Sequence, residues 1–184
     1  MVYSEALGAA AFTFKLILEG LRDFGGALSP FNAFQIIQGL ETLPVRIKQH
    51  SINALELAQW LESREEVAWV NYPGLESSKY NTLAKKYLPK GQSGLVTFGV
   101  KGGFEAARKV TDATKIFSLL ANIGDTKSLI IHPASTTHQQ LTAEQQASAG
   151  VGQDLIRLSV GLEDIEDLKQ DLQEAFKEIE TLVH

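Results

Sequence analysis

The chain has 184 residues, 44% hydrophobic and 21% charged, with a formal net charge of −5. That balance describes a globular domain large enough to bury its own core, and it argues against disorder. No basic stripe interleaved with aromatics appears, so nucleic acid is excluded as an expected partner, and the lack of cysteine excludes disulfides, thiolate metal sites and a cysteine nucleophile. A cysteine-free chain suits a reducing compartment such as the cytoplasm.

Residues 1–20 are apolar in places. Glu5, Lys15 and Glu19 interrupt the run and no basic stretch precedes it, so neither a signal peptide nor a membrane span is expected. The pattern starts abruptly, as though more chain preceded it. Residues 9–22 read as a short helix ended by Gly25-Gly26. Ser29-Pro30 reads as an N-cap followed by proline at the first helical position. Residues 33–40 are apolar nearly all round, which predicts burial on several sides. Gly39 and Pro44 mark a break, because proline cannot donate the helical bond to residue 40. Residues 45–61 resume a helix, with Ile47, Leu55, Ala58 and Leu61 as its apolar stripe.

A strand–helix rhythm follows. Residues 67–72, 95–100, 116–120 and 155–160 read as strands, 128–131 is left open as a short additional one, and residues 80–87 and 104–111 read as helices between them. The last helix has the clearest periodicity: Ile165, Leu168, Leu172, Phe176, Ile179 and Leu182, with acidic residues in its first turn. These elements predict an α/β (α+β) domain: a mostly antiparallel sheet of about four strands with helices packed on it. Residues 1–30 are expected to be an appendage and residues 31–184 the main domain.

Three segments are candidates for chemistry. In Asp154-Leu155-Ile156-Arg157-Leu158-Ser159-Val160-Gly161, one arginine sits in an apolar strand, with Ile156, Leu158 and Val160 on the opposite face. A guanidinium on a stiff sheet is a fork for a carboxylate; an arginine on the wet face of a half-buried strand is the ordinary alternative. Asn122-Ile123-Gly124-Asp125-Thr126-Lys127-Ser128 follows a strand, where binding groups gather, and it also suits a plain turn. His132-Pro133-Ala134-Ser135-Thr136-Thr137-His138 spaces its histidines wrongly for a helical metal pair and lacks a hydrolase elbow. No phosphate-loop pattern occurs.

Taken in order with Leu28-Ser29-Pro30-Phe31-Asn32, Gln38-Gly39-Leu40-Glu41-Thr42-Leu43 and Tyr72-Pro73-Gly74-Leu75, these segments resemble the C-terminal portion of the Cys/Met-metabolism enzymes that use pyridoxal phosphate. The resemblance spans essentially the whole chain. It implies the C-terminal domain of a type I pyridoxal-phosphate-dependent transferase, preceded by a cofactor-bearing domain that these residues do not contain. Residues 1–30 would then be the connection to that domain. The resemblance further implies that Arg157 holds the α-carboxylate of an amino-acid substrate, that Asn122 lies beside substrate and cofactor, and that Thr137 is in a loop near the site. No catalytic, cofactor-binding or metal-binding residue is carried over. Lys115, in Asp112-Ala113-Thr114-Lys115, echoes the family's cofactor lysine only superficially.

Within the family, Asn122 to His138 are most similar to the branch acting on O-acetylhomoserine. The implied reaction is γ-replacement: acetate leaves and sulfide or a thiol enters, in methionine and cysteine biosynthesis. A related succinyl-ester sulfhydrylase, cystathionine γ-synthase or methionine γ-lyase is the near alternative. An oligomerisation module without enzyme activity is the distant one. The family's intact enzymes imply a homo-oligomer, a dimer or tetramer, with no membrane partner.

Overall fold

The computed structural model describes residues 2–183. They divide into two compact units, Met1–Thr42 and Leu43–His184. The sequence alone suggests a division near residue 30.

In the first unit, α1 spans Val2–Leu7 and α2 spans Ala11–Lys15. A wide-pitch π-type turn over Leu16–Phe24 continues α2 until Gly25, whose φ of +70° ends it. Helix α3, Pro30–Glu41, starts as its sequence suggests: Ser29 Oγ accepts from Asn32 N–H at 3.2 Å, with Pro30 in the first turn. The burial expected on several sides of this helix is not found. Phe31, Phe34, Ile36, Ile37 and Leu40 are all more than half exposed. A unit this small has no second layer to cover an apolar cylinder.

The second unit opens with α4, Leu43–Glu62, and Pro44 sits at its second position, where its missing N–H costs nothing. A five-stranded sheet follows in the order β1-β2-β5-β4-β3. Its strands are β1 Val67–Asn71, β2 Leu95–Val100, β3 Ser118–Leu119, β4 Leu129–Ile131 and β5 Leu155–Ser159. All neighbours pair antiparallel except β3 and β4, which run parallel. Between these strands lie α5 Asn81–Tyr87, α6 Gly103–Ala113 and α7 Ala143–Ser148. Helix α8, Ile165–Lys177, and the short α9, Glu180–Val183, close the chain.

The alternation read in the sequence sets the two faces of the sheet. Ile156, Leu158 and Val160 are fully buried and join Val96, Phe98 and Val100 of β2 in one core. Helices α4, α6 and α8 cover this face with Leu57, Leu61, Val110, Leu168, Leu172 and Phe176. Each large side chain buried there contributes about 1.5–3 kcal/mol. The other face carries Leu155, Arg157 and Ser159, opposite Gly99, Thr97 and Leu95 of β2.

Three local differences from the sequence reading have physical causes. The strand expected over residues 116–120 shrinks to Ser118–Leu119 because its first amides are diverted. Asp171 of α8 accepts from the N–H groups of Lys115, Ile116 and Phe117 at 2.8, 2.9 and 3.1 Å. Helix α7 was not anticipated. It begins with a capping box in which Thr142 and Gln145 bond reciprocally. On α4 the buried stripe is His50, Ala54, Leu57, Ala58 and Leu61, whereas Ile47 is 46% exposed. The helix is rotated toward its polar residues because the segment just after β5 supplies acceptors for them.

Candidate functional site

Arg157 sits in the middle of β5, paired with Thr97 on one side and Ile131 on the other. It is half-buried rather than freely exposed. Its Nη2 donates to the backbone carbonyl of Asn122 at 3.3 Å, and its Nε is buried with no hydrogen-bond partner among the described residues. One of the five N–H donors of this guanidinium is therefore engaged by protein. A buried N–H without an acceptor costs about 1–3 kcal/mol. A fixed fork suits the two parallel acceptors of a carboxylate.

The chain after β3 brings Asn122 to this arginine. The contact is made by the main chain of Asn122; its side chain caps the Ile123 N–H at 2.9 Å. The loop is held from two directions. Gly124 N–H donates to Ser159 Oγ at 3.3 Å, and Leu162 N–H donates to Thr126 O at 2.9 Å. Glu163 then closes the loop's far end, accepting Ser128 N–H and Ser128 Oγ–H, both at 2.8 Å.

Gly161 stands at the crossing of these strands. A Cβ there would lie 2.6 Å from the Lys127 carbonyl carbon and closer still to Thr126 O. Its N–H donates to Ser128 Oγ at 2.8 Å. From α4, Asn53 Nδ2 donates to the carbonyls of Gly161 and Glu163, both at 3.0 Å, and His50 Nδ1 donates to that of Val160 at 2.6 Å. His50, Asn53, Glu163 and Asp171 were not recognised as supports of the site in the sequence. The polar spacing of His50 and Asn53 on an otherwise apolar helix face was the available signal.

Thr137 is exposed and bonds His138 Nδ1 at 2.9 Å. No hydrogen bond among the described residues joins it to Arg157 or Asn122. Its loop is anchored from beneath by His132, which is fully buried. Nε2 of His132 faces the Gln153 carbonyl and Nδ1 faces Ser135 Oγ, each at 2.9 Å. A carbonyl can only accept, so Nε2 carries the proton of the neutral ring and Nδ1 accepts from Ser135. The two ring nitrogens are thus occupied inside the fold. Among the described residues no cluster of three or more His, Cys, Asp or Glu could hold a metal ion.

Burial pushes the His132 imidazole below its ordinary pKa of 6.5, partly opposed by its bond to the Gln153 carbonyl. The folded state therefore binds fewer protons here than the unfolded chain. Its stability contribution is complete above about pH 6.5 and is lost as pH falls toward the depressed folded value. Thermal melts of the wild type and of His132→Gln should show it. The wild type loses more stability than the variant between pH 7.5 and pH 5.

Comparison with known proteins now bears on this arrangement. The profile of the family described as "Cys/Met metabolism PLP-dependent enzyme" matches residues 5–177. The chain belongs to the Cys/Met metabolism PLP-dependent enzyme family. It is 57% identical to the O-acetyl-L-homoserine sulfhydrylase of Leptospira meyeri, over 92% of this chain and 38% of the relative. It is 53% identical to O-acetyl-L-homoserine sulfhydrylase 1 of Thermus thermophilus, over 94% of this chain and 41% of the relative. A Campylobacter jejuni crystal structure, assigned as an O-acetylhomoserine (thiol)-lyase and carrying N'-pyridoxyl-lysine-5'-monophosphate, superposes with a TM-score of 0.77 at 48% identity. That match covers 93% of this chain and 41% of the other. The chain thus spans about 40% of the length of the relatives it matches.

Pyridoxal phosphate, when bound, gives this family its electron sink. The residues of this chain fit the substrate end of such a site, where Arg157 offers an acceptor-poor guanidinium fork. They do not fit its anchoring end. Lys115 is exposed, and its main chain is tied to the buried Asp171 on the helix layer. Among the described residues no phosphate cradle accompanies it.

Proposed function

We propose that this chain supplies the substrate-carboxylate site of a sulfhydrylase that converts O-acetylhomoserine and sulfide, or a thiol, to homocysteine, or methionine, and acetate. The observation that carries the reading is the Arg157 guanidinium, fixed by Asn122 O on one side and bearing a buried unpartnered Nε. In this reading Arg157 binds the α-carboxylate and sets the orientation of the substrate's Cα–H bond. The Asn122 loop limits the arginine's swing, and Thr137 approaches from the neighbouring loop. Fixing a reactant this way lowers the entropy lost on reaching the transition state. The cofactor lysine and phosphate site belong to a preceding region, to which the N-terminal segment connects. The identity of this chain to O-acetylhomoserine sulfhydrylases favours the acetyl ester over the alternatives.

A segment exchange tests the reading. The matched stretch of the Thermus thermophilus relative is replaced by this chain. Sulfhydrylation of O-acetylhomoserine is expected within about tenfold of the parent, because the supporting network moves with the arginine. Loss of activity in a folded, cofactor-loaded hybrid would contradict it.

A homo-oligomeric, cytoplasmic enzyme completes the proposal. Among the described residues no helix is long and apolar enough to cross a membrane. The exposed Phe12, Phe24, Phe31 and Phe34 of the first unit are an apolar surface of the kind that associates. Light scattering of the chain should show concentration-dependent self-association, and a strict monomer at all concentrations would count against it.

A further inference from the structure

Arg157 and Ser159 are two residues apart on β5, so their side chains stand on one face of the sheet, roughly 7 Å apart along the strand. β5 is the middle strand of the five. Ser159 is flanked by Leu95 of β2 and Leu129 of β4, and Arg157 by Thr97 and Ile131, so both side chains rise from a stiff base. The loop beside them repeats their spacing. Asn122 O accepts from Arg157 Nη2, and two residues on, Gly124 N–H donates to Ser159 Oγ, each at 3.3 Å. Among the described residues these are the only hydrogen bonds that join residues 121–125 to anything beyond the loop. The next anchor is Thr126, whose carbonyl accepts from Leu162 N–H.

Packing does not do the work of these two bonds. Asn122, Ile123 and Gly124 are all exposed, Ile123 by 62%. A cavity of about 240 Å³ is bordered by Ile123 and Gly124 of the loop and by Leu95 and Ser159 of the sheet. Gly124 has a φ of +75°, which other residues rarely adopt, and a Cβ there would meet nothing within 4 Å. The glycine serves the turn of the chain and not a close contact. Ser159, by contrast, is 3% exposed. A buried hydroxyl on a central strand is costly unless it is hydrogen-bonded. The partner of this one among the described residues is the Gly124 N–H.

We propose that Ser159 is a positioning residue for substrate binding, acting through Arg157. Its Oγ holds the Gly124 N–H, which keeps the Asn122 carbonyl on the guanidinium and so holds the arginine in one orientation for the carboxylate. The proposal rests on the carboxylate reading of Arg157 above. Ser159 itself touches no substrate in this scheme. A long side chain such as arginine has many rotamers, and a ligand that must immobilise it binds more weakly. An arginine already held by a protein acceptor spares the ligand that loss, which amounts to roughly 2–10-fold in affinity.

The test has two arms. In this chain, nitrogen NMR of the Arg157 guanidinium and amide hydrogen exchange report on the loop directly. Ser159→Ala should quicken exchange at residues 122–125 several-fold and average the Arg157 Nη signals. Ser159→Thr keeps the Oγ and has the cavity beside it for its methyl group, so it should restore both. Ser159→Cys, of similar shape but with a weak acceptor, should behave like Ser159→Ala and serves if that variant does not fold. In the segment-exchange enzyme, Ser159→Ala should raise KM for O-acetylhomoserine about fivefold, with kcat within about twofold and KM for sulfide unchanged. In an Arg157→Ala background the same change should add nothing, because its effect passes through the arginine. A merely structural serine would impair both backgrounds alike. Equal KM increases with and without the arginine, or Arg157 signals that Ser159→Ala leaves unaltered, would overturn the proposal. An Arg157→Ala enzyme with unchanged KM would instead contradict the carboxylate reading, and the NMR arm would still decide whether Ser159 holds the loop.

Discussion

Arg157→Ala, made in the segment-exchange enzyme, is expected to lower kcat/KM for O-acetylhomoserine by about 100-fold. Two charge-assisted hydrogen bonds to a carboxylate carry that much discrimination. KM should rise, because the carboxylate is bound in the ground state. kcat should also fall, because the substrate is no longer aimed. Arg157→Lys should recover only part of the loss, since an ammonium restores charge without the planar fork. Folding should barely change. The described structure gives the guanidinium one protein acceptor, the Asn122 carbonyl at 3.3 Å, and removing it also removes a buried unpartnered Nε. A melting temperature within about 2 °C of the parent is expected. A large drop in stability with unchanged kcat/KM would make Arg157 a structural residue.

Asp171→Ala should do the opposite: a large stability loss with an indirect effect on the site. Asp171 is 7% exposed, and its carboxylate accepts three successive main-chain N–H groups, those of Lys115, Ile116 and Phe117. Phe117 is itself buried, so water cannot fully replace the lost acceptor. The expected cost is about 3 kcal/mol, or a melting temperature lower by roughly 6–12 °C. Asp171→Asn keeps one acceptor oxygen and should lose about half as much. Because these amides lead into β3 and the Asn122 loop, hydrogen exchange should quicken first at residues 116–128. Uniform quickening across β5 as well would mean that Asp171 supports the whole fold rather than this corner.

The faces of the sheet were legible because alternation is a local signal. Ile156, Leu158 and Val160 could be assigned inward and Arg157 outward from their order alone, and the structure places them so. The start of α3 at Ser29-Pro30 was legible for the same reason, since a cap is written in adjacent residues. Helix α7 had such a signature in Thr142 and Gln145, but its body, Ala-Glu-Gln-Gln-Ala-Ser, has no apolar stripe to draw attention to it. The supports of the site were not legible. Asn53 and Gly161 are 108 positions apart, and Asp171 and Lys115 are 56 apart, so no window along the chain shows that they meet. The edge strand was overestimated because its apolar residues read as β while its amides were claimed by a distant carboxylate. The full-burial expectation for α3 failed because periodicity reports which surfaces avoid water, and not whether a partner surface lies in the same chain.

The central claim, that this chain presents the carboxylate fork of a Cys/Met metabolism enzyme through Arg157, is tested most directly by a crystal structure of the segment-exchange enzyme with an unreactive O-acetylhomoserine analogue bound. The account predicts a carboxylate oxygen about 3 Å from Arg157 Nε or a free Nη hydrogen, with the Asn122 carbonyl still on Nη2. A carboxylate bound elsewhere, with Arg157 making no contact to it, would contradict the account.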